Sequence, residues 1–326
     1  MSEIKNIIIL GMGAIGTAFG NALSVKDNLN VTLVGIEDDI AESISTTHIN
    51  HKYFAGIRLN DRLKASNDFN LISTADVIVI AIPSIAVMSH LREIKKHIPK
   101  KAIMINLAKG FGDDLQTIPQ SINKEFDNIV IPMKGPSFAR EIINNSPTAF
   151  TIACTDTKLL SKLEDLFKGT SIITDKTEDV LGVEYLSILK NIYAIVIGIV
   201  DAQFDSANMR FCVFTKAFNE MRAIMIELGG KKKTLFNYCG IGDFGLTSLN
   251  DLSRNRTLGL FIGKGFFDEV ISNKVVLEGQ IAMNNMLVKL KQDGVNPEIY
   301  PLLTSLSKVF SKEISVLDFV NKIINL

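Results

Sequence analysis

The glycines near the start of the chain constrain the possible fold more than any other sequence feature. In IIILGMGAIGTAFG, Gly11, Gly13 and Gly16 come directly after an apolar β-branched run and at the start of a helical pattern. In a unit of strand, turn and helix, the first such glycine makes the tight turn, the second lets a pyrophosphate approach the backbone, and the third lets helix and strand pack closely. The spacing therefore predicts a dinucleotide-binding βαβ unit, and the alternative is a glycine turn with a purely structural role.

Short apolar runs alternate with helix-length segments over the first half of the chain. In chain order the runs are NIIIL, NVTLVG, DVIVIAIPS, AIMINLAKG, NIVIPMKGPS and TAFTIACTD. Fully apolar strands separated by helices are typical of a parallel sheet covered on both faces, whereas beyond SIITDKTEDV only helical periodicity continues. The chain is therefore predicted to be α/β, with an N-terminal Rossmann-type doubly wound sheet in residues 1–180 and an all-α C-terminal domain in residues 181–326.

Acidic residues follow the second predicted strand. Glu37 lies roughly 20 residues past the third glycine, where a carboxylate commonly bonds the ribose hydroxyls of NAD and an arginine would accommodate the extra phosphate of NADP. No basic residue stands beside Glu37, so the sequence favours NAD. The alternative is that these carboxylates only start the next helix, whose N-terminus favours negative charge.

The carboxyl ends of the predicted strands are candidate binding positions, because ligands of such sheets bind outside that edge. The segments AIPS, AKG and KGPSFARE fall at strand ends. Lys109 of AKG is therefore expected to meet an anionic group of a substrate or cofactor. The alternative is an ordinary exposed loop lysine.

Glycine and polar residues are dense in GIGDFGLTSLNDLSRNRTLGLFIGKG. Its stretch SRNR starts at Ser253 and places Arg254 and Arg256 on either side of Asn255. A planar guanidinium suits a phosphate or a carboxylate, which predicts an oxyanion pocket. The alternative is a helix N-terminus capped by Ser253, with solvated arginines.

A long apolar run, YLSILKNIYAIVIGIV, carries a single charged residue, Lys190. The run is shorter than the roughly 20 apolar residues that a membrane-spanning helix needs, which argues against a membrane segment. On a helix, the polar and small residues in and beside this run share an arc of about 120°. They are Glu184, Ser187, Lys190, Asn191, Ala194, Gly198 and Asp201. We predict a buried helix with a ligand site at Lys190 and Asn191, and the alternative is an amphipathic helix whose lysine snorkels to water.

The amino-acid composition limits the kinds of binding partner that are expected. Lys plus Arg equals Asp plus Glu at 35 each, so no excess of positive charge indicates nucleic acid or a membrane surface, and a small molecule is expected. The start of the chain shows no leader pattern, which predicts a cytoplasmic protein. The three cysteines and four histidines stand in no metal-ligand spacing, so no metal site is predicted.

Together the motifs resemble the NAD(P)-dependent glycerol-3-phosphate dehydrogenases of the soluble, bacterial type. The resemblance covers nearly the whole chain. Its elements, in family order, are GMGAIGTAFG, NHKYFAGIRL, AIPS, AKG, GPSFARE, EYLSILKNIYAIVIGIVDA, ANMRFCVFTKAFNEM, GIGDFGLTSLNDLSRNR and VVLEG. The resemblance implies a Rossmann domain followed by an all-α domain, a homodimer, and reduction of the phosphorylated substrate dihydroxyacetone phosphate to sn-glycerol 3-phosphate, a phospholipid precursor.

The same resemblance implies roles for individual residues, with Lys190 as the catalytic lysine. The implied catalytic group is Lys190, Asp243, Lys109, Asn191 and Thr247. The implied substrate contacts are Lys109, Gly135, Ser137, Lys190, Asp243, Ser253, Arg254 and Asn255. The implied dinucleotide contacts are Gly11, Gly13, Ala14, Ile15, Gly16, Glu37, Tyr53, Lys109, Ala139, Arg254, Val276 and Glu278.

The chain departs from the family pattern at several positions. Ile36 stands where the family often has a basic residue or histidine, and Ala14 and Ile15 stand where it has bulkier or polar residues. These departures argue against NADP as the cofactor. Further departures, none at an expected catalytic position, are Ala55, Lys216, Ala217 and Ser248.

Two other functions are compatible with part of the pattern. A different dehydrogenase with Rossmann and helical domains, of the ketopantoate or hydroxyacid reductase type, would explain the glycines and a lysine but not the segment from Gly240 to Arg256. A non-catalytic NAD-binding protein would explain the glycines but not Lys190, Asp243 and Arg254 together.

Overall fold

The computed structural model describes residues 4–266 and 277–325, except for the side chains of Leu277 and Glu278. The chain divides into two compact units, Met1–Val180 and Leu181–Leu326, called here the N-terminal and C-terminal units. The N-terminal unit contains the sheet, and the described part of the C-terminal unit is helical.

One eight-stranded sheet forms the N-terminal unit. Its strands are β1 Asn6–Leu10, β2 Asn30–Val34, β3 Lys64–Ser66, β4 Val77–Ile80, β5 Ile103–Asn106, β6 Val130–Lys134, β7 Thr148–Ala153 and β8 Ile172–Thr177. They lie in the order β3-β2-β1-β4-β5-β6-β7-β8. All neighbouring strands are parallel except β6 and β7.

Helices and two apolar cores cover the two faces of this sheet. The helices are α1 Ala14–Leu23, α2 Asp38–Thr47, α3 Ser84–Glu93, α4 Ile118–Asn123, α5 Ala139–Ile143 and α6 Thr157–Phe167. Along β1, Ile7 and Ile9 belong to one core, and Ile8 and Leu10 belong to the other. Successive side chains of a strand point to opposite faces, so both faces of β1 are covered. The predicted doubly wound α/β domain is confirmed.

Two details of the sheet differ from the prediction. The edge strand β3 was not predicted, because KAS contains no apolar run. The strand β7 runs antiparallel to β6, although the apolar runs were expected to form a parallel sheet. Between β6 and β7 the only regular element is the five-residue α5, which is about 7.5 Å long. Such a short helix does not return the chain to the opposite end of the sheet, so β7 starts near the end of β6.

The C-terminal unit is all-α over its described residues, as predicted. Its helices are α7 Val180–Phe204, α8 Ala207–Glu227, α9 Asp243–Leu249, α10 Arg254–Gly263, α11 Leu277–Gln292, α12 Pro301–Phe310 and α13 Val316–Ile324. The largest of these is α7, and most of its residues are buried.

The length argument against a membrane segment is wrong for α7. The helix continues past both ends of the apolar run to 25 residues, and among the described residues it alone is long and apolar enough to cross a membrane, with a mean hydropathy of 1.7 over its most apolar 18 residues. Its environment nevertheless differs from that of a spanning helix, because 94% of its most apolar window is buried inside the protein. We therefore treat α7 as a core helix.

Candidate active site

Lys190 lies near the middle of α7 and is enclosed by protein. Its side chain is only 5% exposed. The ammonium Nζ donates to Oδ1 of Asp243 and to Oγ1 of Thr247, the latter at 2.9 Å. A snorkelling lysine keeps its ammonium in water, so the amphipathic-helix alternative is wrong.

The helix α9 brings the two partners of Lys190 together. Asp243 and Thr247 are four residues apart, which places them on the same face of a helix. The turn before α9 depends on Gly240, because a Cβ there would lie 2.2 Å from the carbonyl oxygen of Leu235. This turn delivers Asp243 as the first residue of α9, with its side chain 1% exposed.

The buried pair of Lys190 and Asp243 suits proton transfer. An ammonium can donate a proton to an oxygen that gains negative charge, and a carboxylate beside it keeps the ammonium in one place. Removing one member of a buried ion pair typically costs about 3–5 kcal/mol, so the two groups hold each other in position. The next residue of α7, Asn191, is half-buried, and its Nδ2 donates to the carbonyl oxygen of Ser187 at 3.4 Å.

The SRNR stretch starts helix α10, as the alternative of a capped helix N-terminus expected. Ser253 caps α10, because its Oγ accepts from the backbone N–H of Arg256 at 3.3 Å. Arg254 is exposed and Asn255 is half-buried. Arg256 is buried and donates to Asp201, so the expectation that both arginines are solvated is wrong for Arg256. Residues two apart on a helix do not share a face, and helical phasing of SRNR was the signal that could have separated them.

Close packing of α7 and α10 fixes where the SRNR stretch begins. A Cβ added at Gly198 of α7 would lie 2.3 Å from the carbonyl oxygen of Arg256. In the reverse direction, a Cβ added at Gly259 of α10 would lie 2.2 Å from the carbonyl oxygen of Ile195. The two helix backbones therefore touch without intervening side chains, and Gly198, one of the small residues in the predicted arc of α7, serves this packing.

A buried carboxylate ties α7 to two other helices. Glu220 of α8 accepts from the hydroxyl of Tyr193 at 2.8 Å. It also accepts from the backbone N–H groups of Leu302 and Leu303, at 3.0 and 2.8 Å, in the first turn of α12. Burial raises the pKa of Glu220 above its ordinary value, and these hydrogen bonds oppose that rise. Burial also raises the pKa of Tyr185, earlier on α7, to about 12.

In the N-terminal unit, the glycine turn after β1 has the geometry expected of a pyrophosphate cradle. Gly11 has a φ of +108°, and a Cβ at Gly16 would lie 2.1 Å from the carbonyl oxygen of Gly11. A Cβ at Gly13 would meet nothing within 4 Å of the described protein, so the backbone there can be approached closely. Among the described residues no side chain caps α1, whose first turn contains Ala14 and Ile15. This helix end therefore fits an anion such as the pyrophosphate of a dinucleotide.

The residues expected at the adenosine end lie after β2 and in the following loop. Glu37 is half-buried and stands at the N-cap position of α2. Ile36 is 76% exposed, and Tyr53 is also exposed. The expected contact Val276 lies outside the described residues, as does the side chain of Glu278.

The ends of β5 and β6 lie side by side in the sheet and carry four predicted residues. They are Lys109, Gly135, Ser137 and Ala139, of which Lys109 is half-buried. Ser137 Oγ donates to the carbonyl oxygen of Gly135 at 2.9 Å. Lys134 was not predicted here: it is fully buried and its Nζ donates to the carbonyl oxygens of Asn106, at 3.0 Å, and Ala108. No local sequence pattern shows that a lysine at the end of a strand will be buried and bound to backbone carbonyl oxygens.

Comparisons with known proteins agree with this geometry. Residues 6–160 match the family NAD-dependent glycerol-3-phosphate dehydrogenase N-terminus, and residues 179–321 match its C-terminus. The glycerol-3-phosphate dehydrogenase (NAD(P)+) of Leptospira biflexa is 34% identical over 90% of this chain and 92% of that protein. The corresponding protein of Methanothermobacter thermautotrophicus is 35% identical over 79% and 80% of the two chains.

Solved structures are similar over the whole length of the chain. The glycerol-3-phosphate dehydrogenase of Coxiella burnetii has a TM-score of 0.88 at 26% identity, covering 99% of both chains. A ketopantoate reductase from Ralstonia eutropha has a TM-score of 0.58 at 12% identity, covering 98% and 99%, which shows a shared fold alone. Because the two family matches together take in most of the sequence, the chain belongs to the NAD-dependent glycerol-3-phosphate dehydrogenase family.

Proposed function

We propose that this chain reduces dihydroxyacetone phosphate to sn-glycerol 3-phosphate with NAD(P)H. The observation that carries the proposal is the buried cluster of Lys190, Asp243 and Thr247 in a chain of this family. Reduction of a ketone adds a hydride to carbon and a proton to oxygen, and a fixed ammonium can supply that proton. The relatives in Leptospira and Methanothermobacter are named for the same activity.

The glycine turn supports a dinucleotide as the cofactor. When bound, the reduced dinucleotide supplies the hydride. The helix end formed by Gly13, Ala14 and Ile15 would hold its pyrophosphate, with Gly11 and Gly16 shaping the turn. Family resemblance extends the set of contacts to Glu37, Tyr53, Lys109, Ala139, Arg254, Val276 and Glu278. The carboxylate of Glu37 and the neighbouring Ile36 favour NADH over NADPH.

In the mechanism, Lys190 donates a proton to the carbonyl oxygen of the substrate as that oxygen becomes an alkoxide. Asp243 and Thr247 hold the ammonium at one position. The lysine side chain therefore has little conformational freedom left to lose on the way to the transition state. The start of α10 would bind the phosphate, because a helix N-terminus and the guanidinium of Arg254 both favour an anion. Family resemblance adds Ser253, Asn255, Asn191, Lys109, Gly135 and Ser137 as substrate contacts.

The assay follows oxidation of NADH with dihydroxyacetone phosphate, with ketopantoate, and without a substrate, and is repeated with NADPH. We expect turnover with dihydroxyacetone phosphate alone. Replacing Lys190 by Ala should lower kcat by about 10²–10⁴-fold, the usual contribution of a general acid, because the oxygen loses its proton donor. Turnover of ketopantoate would favour the other dehydrogenase type, and absence of any turnover would favour a non-catalytic NAD-binding protein.

We further propose a cytoplasmic homodimer that supplies the phospholipid precursor, on the resemblance to the bacterial-type family. Sedimentation of the full chain tests the dimer, whose mass would be about twice the chain mass of 35.9 kDa. A single species at the chain mass, at the concentrations used for the assay, would contradict it.

A further inference from the structure

Arg256 is the member of the SRNR stretch to which the proposed function gives no role. Its side chain is 8% exposed, unlike the exposed side chain of Arg254 two residues earlier. A guanidinium is rarely buried unless charged and polar partners surround it, because removing it from water is costly. The partners of Arg256 therefore indicate what the residue does.

Three partners surround the guanidinium of Arg256. Its Nη1 donates to Oδ2 of Asp201 and, at 3.3 Å, to the carbonyl oxygen of Ser248. Its Nε donates to Oδ1 of Asp251 at 3.2 Å. The carboxylate of Asp201 is itself 2% exposed, and both its oxygens also accept from Nε of Arg210 at 2.8 Å.

These partners lie on three different segments of the C-terminal unit. Asp201 is in the last turn of α7, Ser248 is in the last turn of α9, and Asp251 is in the loop between α9 and α10. The backbone of Arg256 adds a further contact, because its carbonyl oxygen lies against Gly198 of α7. One residue thus joins the helix of Lys190, the helix of Asp243 and Thr247, and the start of α10.

We propose that Arg256 is a positioning residue that holds the segment Ser253–Asn255 in register with Lys190 and Asp243. The inference rests on the proposed function, because it assigns the phosphate of the substrate to the start of α10. A lysine at this position would keep the positive charge but not the planar fork, whose donors point in fixed directions at a carboxylate and a carbonyl oxygen together. The position of α10, and with it the position of the bound phosphate, depends on that fork.

The test compares Arg256→Lys and Arg256→Met with wild type in the full-length protein. For each we would measure kcat, KM for dihydroxyacetone phosphate, the dissociation constant for NADH and the thermal unfolding midpoint. Misplacement of a bound group by about 1 Å can cost on the order of 10²-fold in rate. We therefore expect KM to rise roughly tenfold in Arg256→Lys and further in Arg256→Met, with a lower kcat, while the dissociation constant for NADH changes less than about twofold.

Arg210→Met is the matched control. Arg210 donates to the same carboxylate from α8, but within the described residues its guanidinium donates to no part of α9 or α10. We expect its KM and kcat to stay within about twofold of wild type. If Arg210→Met changed KM and kcat as much as the Arg256 variants do, the inference would be overturned. The effect would then come from removing a positive charge beside Asp201, and not from the position of α10.

The inference is also overturned if Arg256→Lys folds, binds NADH and keeps the KM and kcat of wild type, because Arg256 would then serve stability alone. If Arg256→Met does not fold, Arg256→Lys decides the question. Wild type in the same assay separates the two proposals. An inactive wild type overturns the proposed function and this inference with it, whereas an active wild type with unchanged Arg256 variants overturns this inference only.

Discussion

At the scale of single residues, Asp243 and Thr247 both accept from Lys190, but they are expected to matter unequally. Asp243→Asn removes the carboxylate that accepts from this buried ammonium. Breaking a buried ion pair in this way typically costs about 3–5 kcal/mol of stability. Thr247→Val removes one neutral acceptor, a loss of about 0.5–1.5 kcal/mol. We predict a fall in kcat on the order of 10²-fold for Asp243→Asn and less than about tenfold for Thr247→Val.

Steady-state kinetics with dihydroxyacetone phosphate measures both variants, and urea unfolding reports their stability. Equal losses of kcat in the two variants would contradict a special role for the carboxylate. If Asp243→Asn loses activity while the urea midpoint stays unchanged, the carboxylate serves the chemistry and adds nothing to stability.

Sequence patterns identified Lys190 as unusual but did not reveal its partners. Helical phasing placed Lys190 in a polar arc, because an isolated charge in an apolar run is visible locally. Asp243 lies 53 residues further along the chain, and the residue pattern of α7 carries no information about that contact. Only the family resemblance named Asp243. Arg256 shows the reverse case, because its separation from Arg254 follows from helical geometry once SRNR is known to start a helix.

At the scale of elements, the crossing of α7 and α10 leaves no room for a methyl group. Gly198→Ala would place a Cβ 2.3 Å from the carbonyl oxygen of Arg256, which is backbone and cannot swing aside. We predict a loss of about 1–3 kcal/mol in unfolding free energy from overpacking, and a raised KM for dihydroxyacetone phosphate because the start of α10 shifts.

Gly245→Ala is the matched control for stability, because the added Cβ meets nothing within 4 Å of the described protein and lies in helix α9. There alanine should be neutral or stabilising by about 0.5–1 kcal/mol, since glycine weakens helix interiors. Thermal unfolding of the two variants and of wild type measures these differences in stability. If Gly198→Ala unfolds at the temperature of wild type or above, the crossing tolerates a wider separation than the geometry indicates.

The link from α8 to α7 and α12 through Glu220 should depend on pH. Burial raises the pKa of Glu220, so the folded protein binds this proton more tightly than the unfolded chain. As pH falls from the folded pKa towards the unfolded one, wild type therefore gains unfolding free energy that Glu220→Gln does not gain. We predict that the difference in urea midpoint, wild type minus variant, grows from neutral pH to about pH 5. A difference that is constant or shrinks would contradict the assignment.

Helices and strands could be predicted where burial produces a pattern of apolar residues. The direction of a strand and the exact length of a helix could not be predicted from such a pattern. The apolar runs of β1, β4 and β5 predicted central strands because strands covered on both faces are apolar throughout. The same pattern cannot show that β7 runs antiparallel, since a run of apolar residues has no direction. Nor did it show the true length of α7, whose ends include Glu184 and Asp201 inside the protein.

At the scale of the whole molecule, cofactor binding and proton donation are assigned to different units of the chain. The glycine turn proposed as a pyrophosphate cradle is in the N-terminal unit, and the Lys190 cluster is in the C-terminal unit. Gly16→Ala would place a Cβ 2.1 Å from the carbonyl oxygen of Gly11, so α1 must move from the end of β1. Lys190→Ala changes no residue of that cradle. Gly16→Ala should therefore weaken NADH binding, whereas Lys190→Ala should lower turnover and leave NADH binding nearly unchanged.

We predict that Gly16→Ala weakens NADH binding on the order of tenfold, the equivalent of about 1.4 kcal/mol within the usual cost of overpacking, and loses turnover with it. Lys190→Ala should bind NADH within about twofold of wild type and lose turnover by about 10²–10⁴-fold. Fluorescence titration of NADH and oxidation of NADH with dihydroxyacetone phosphate measure the two quantities. Gly56→Ala, where an added Cβ meets nothing within 4 Å of the described protein, is the control and should match wild type in both. If Lys190→Ala weakened NADH binding as much as Gly16→Ala, the division of roles between the units would be wrong, and Lys190 would belong to the cofactor site.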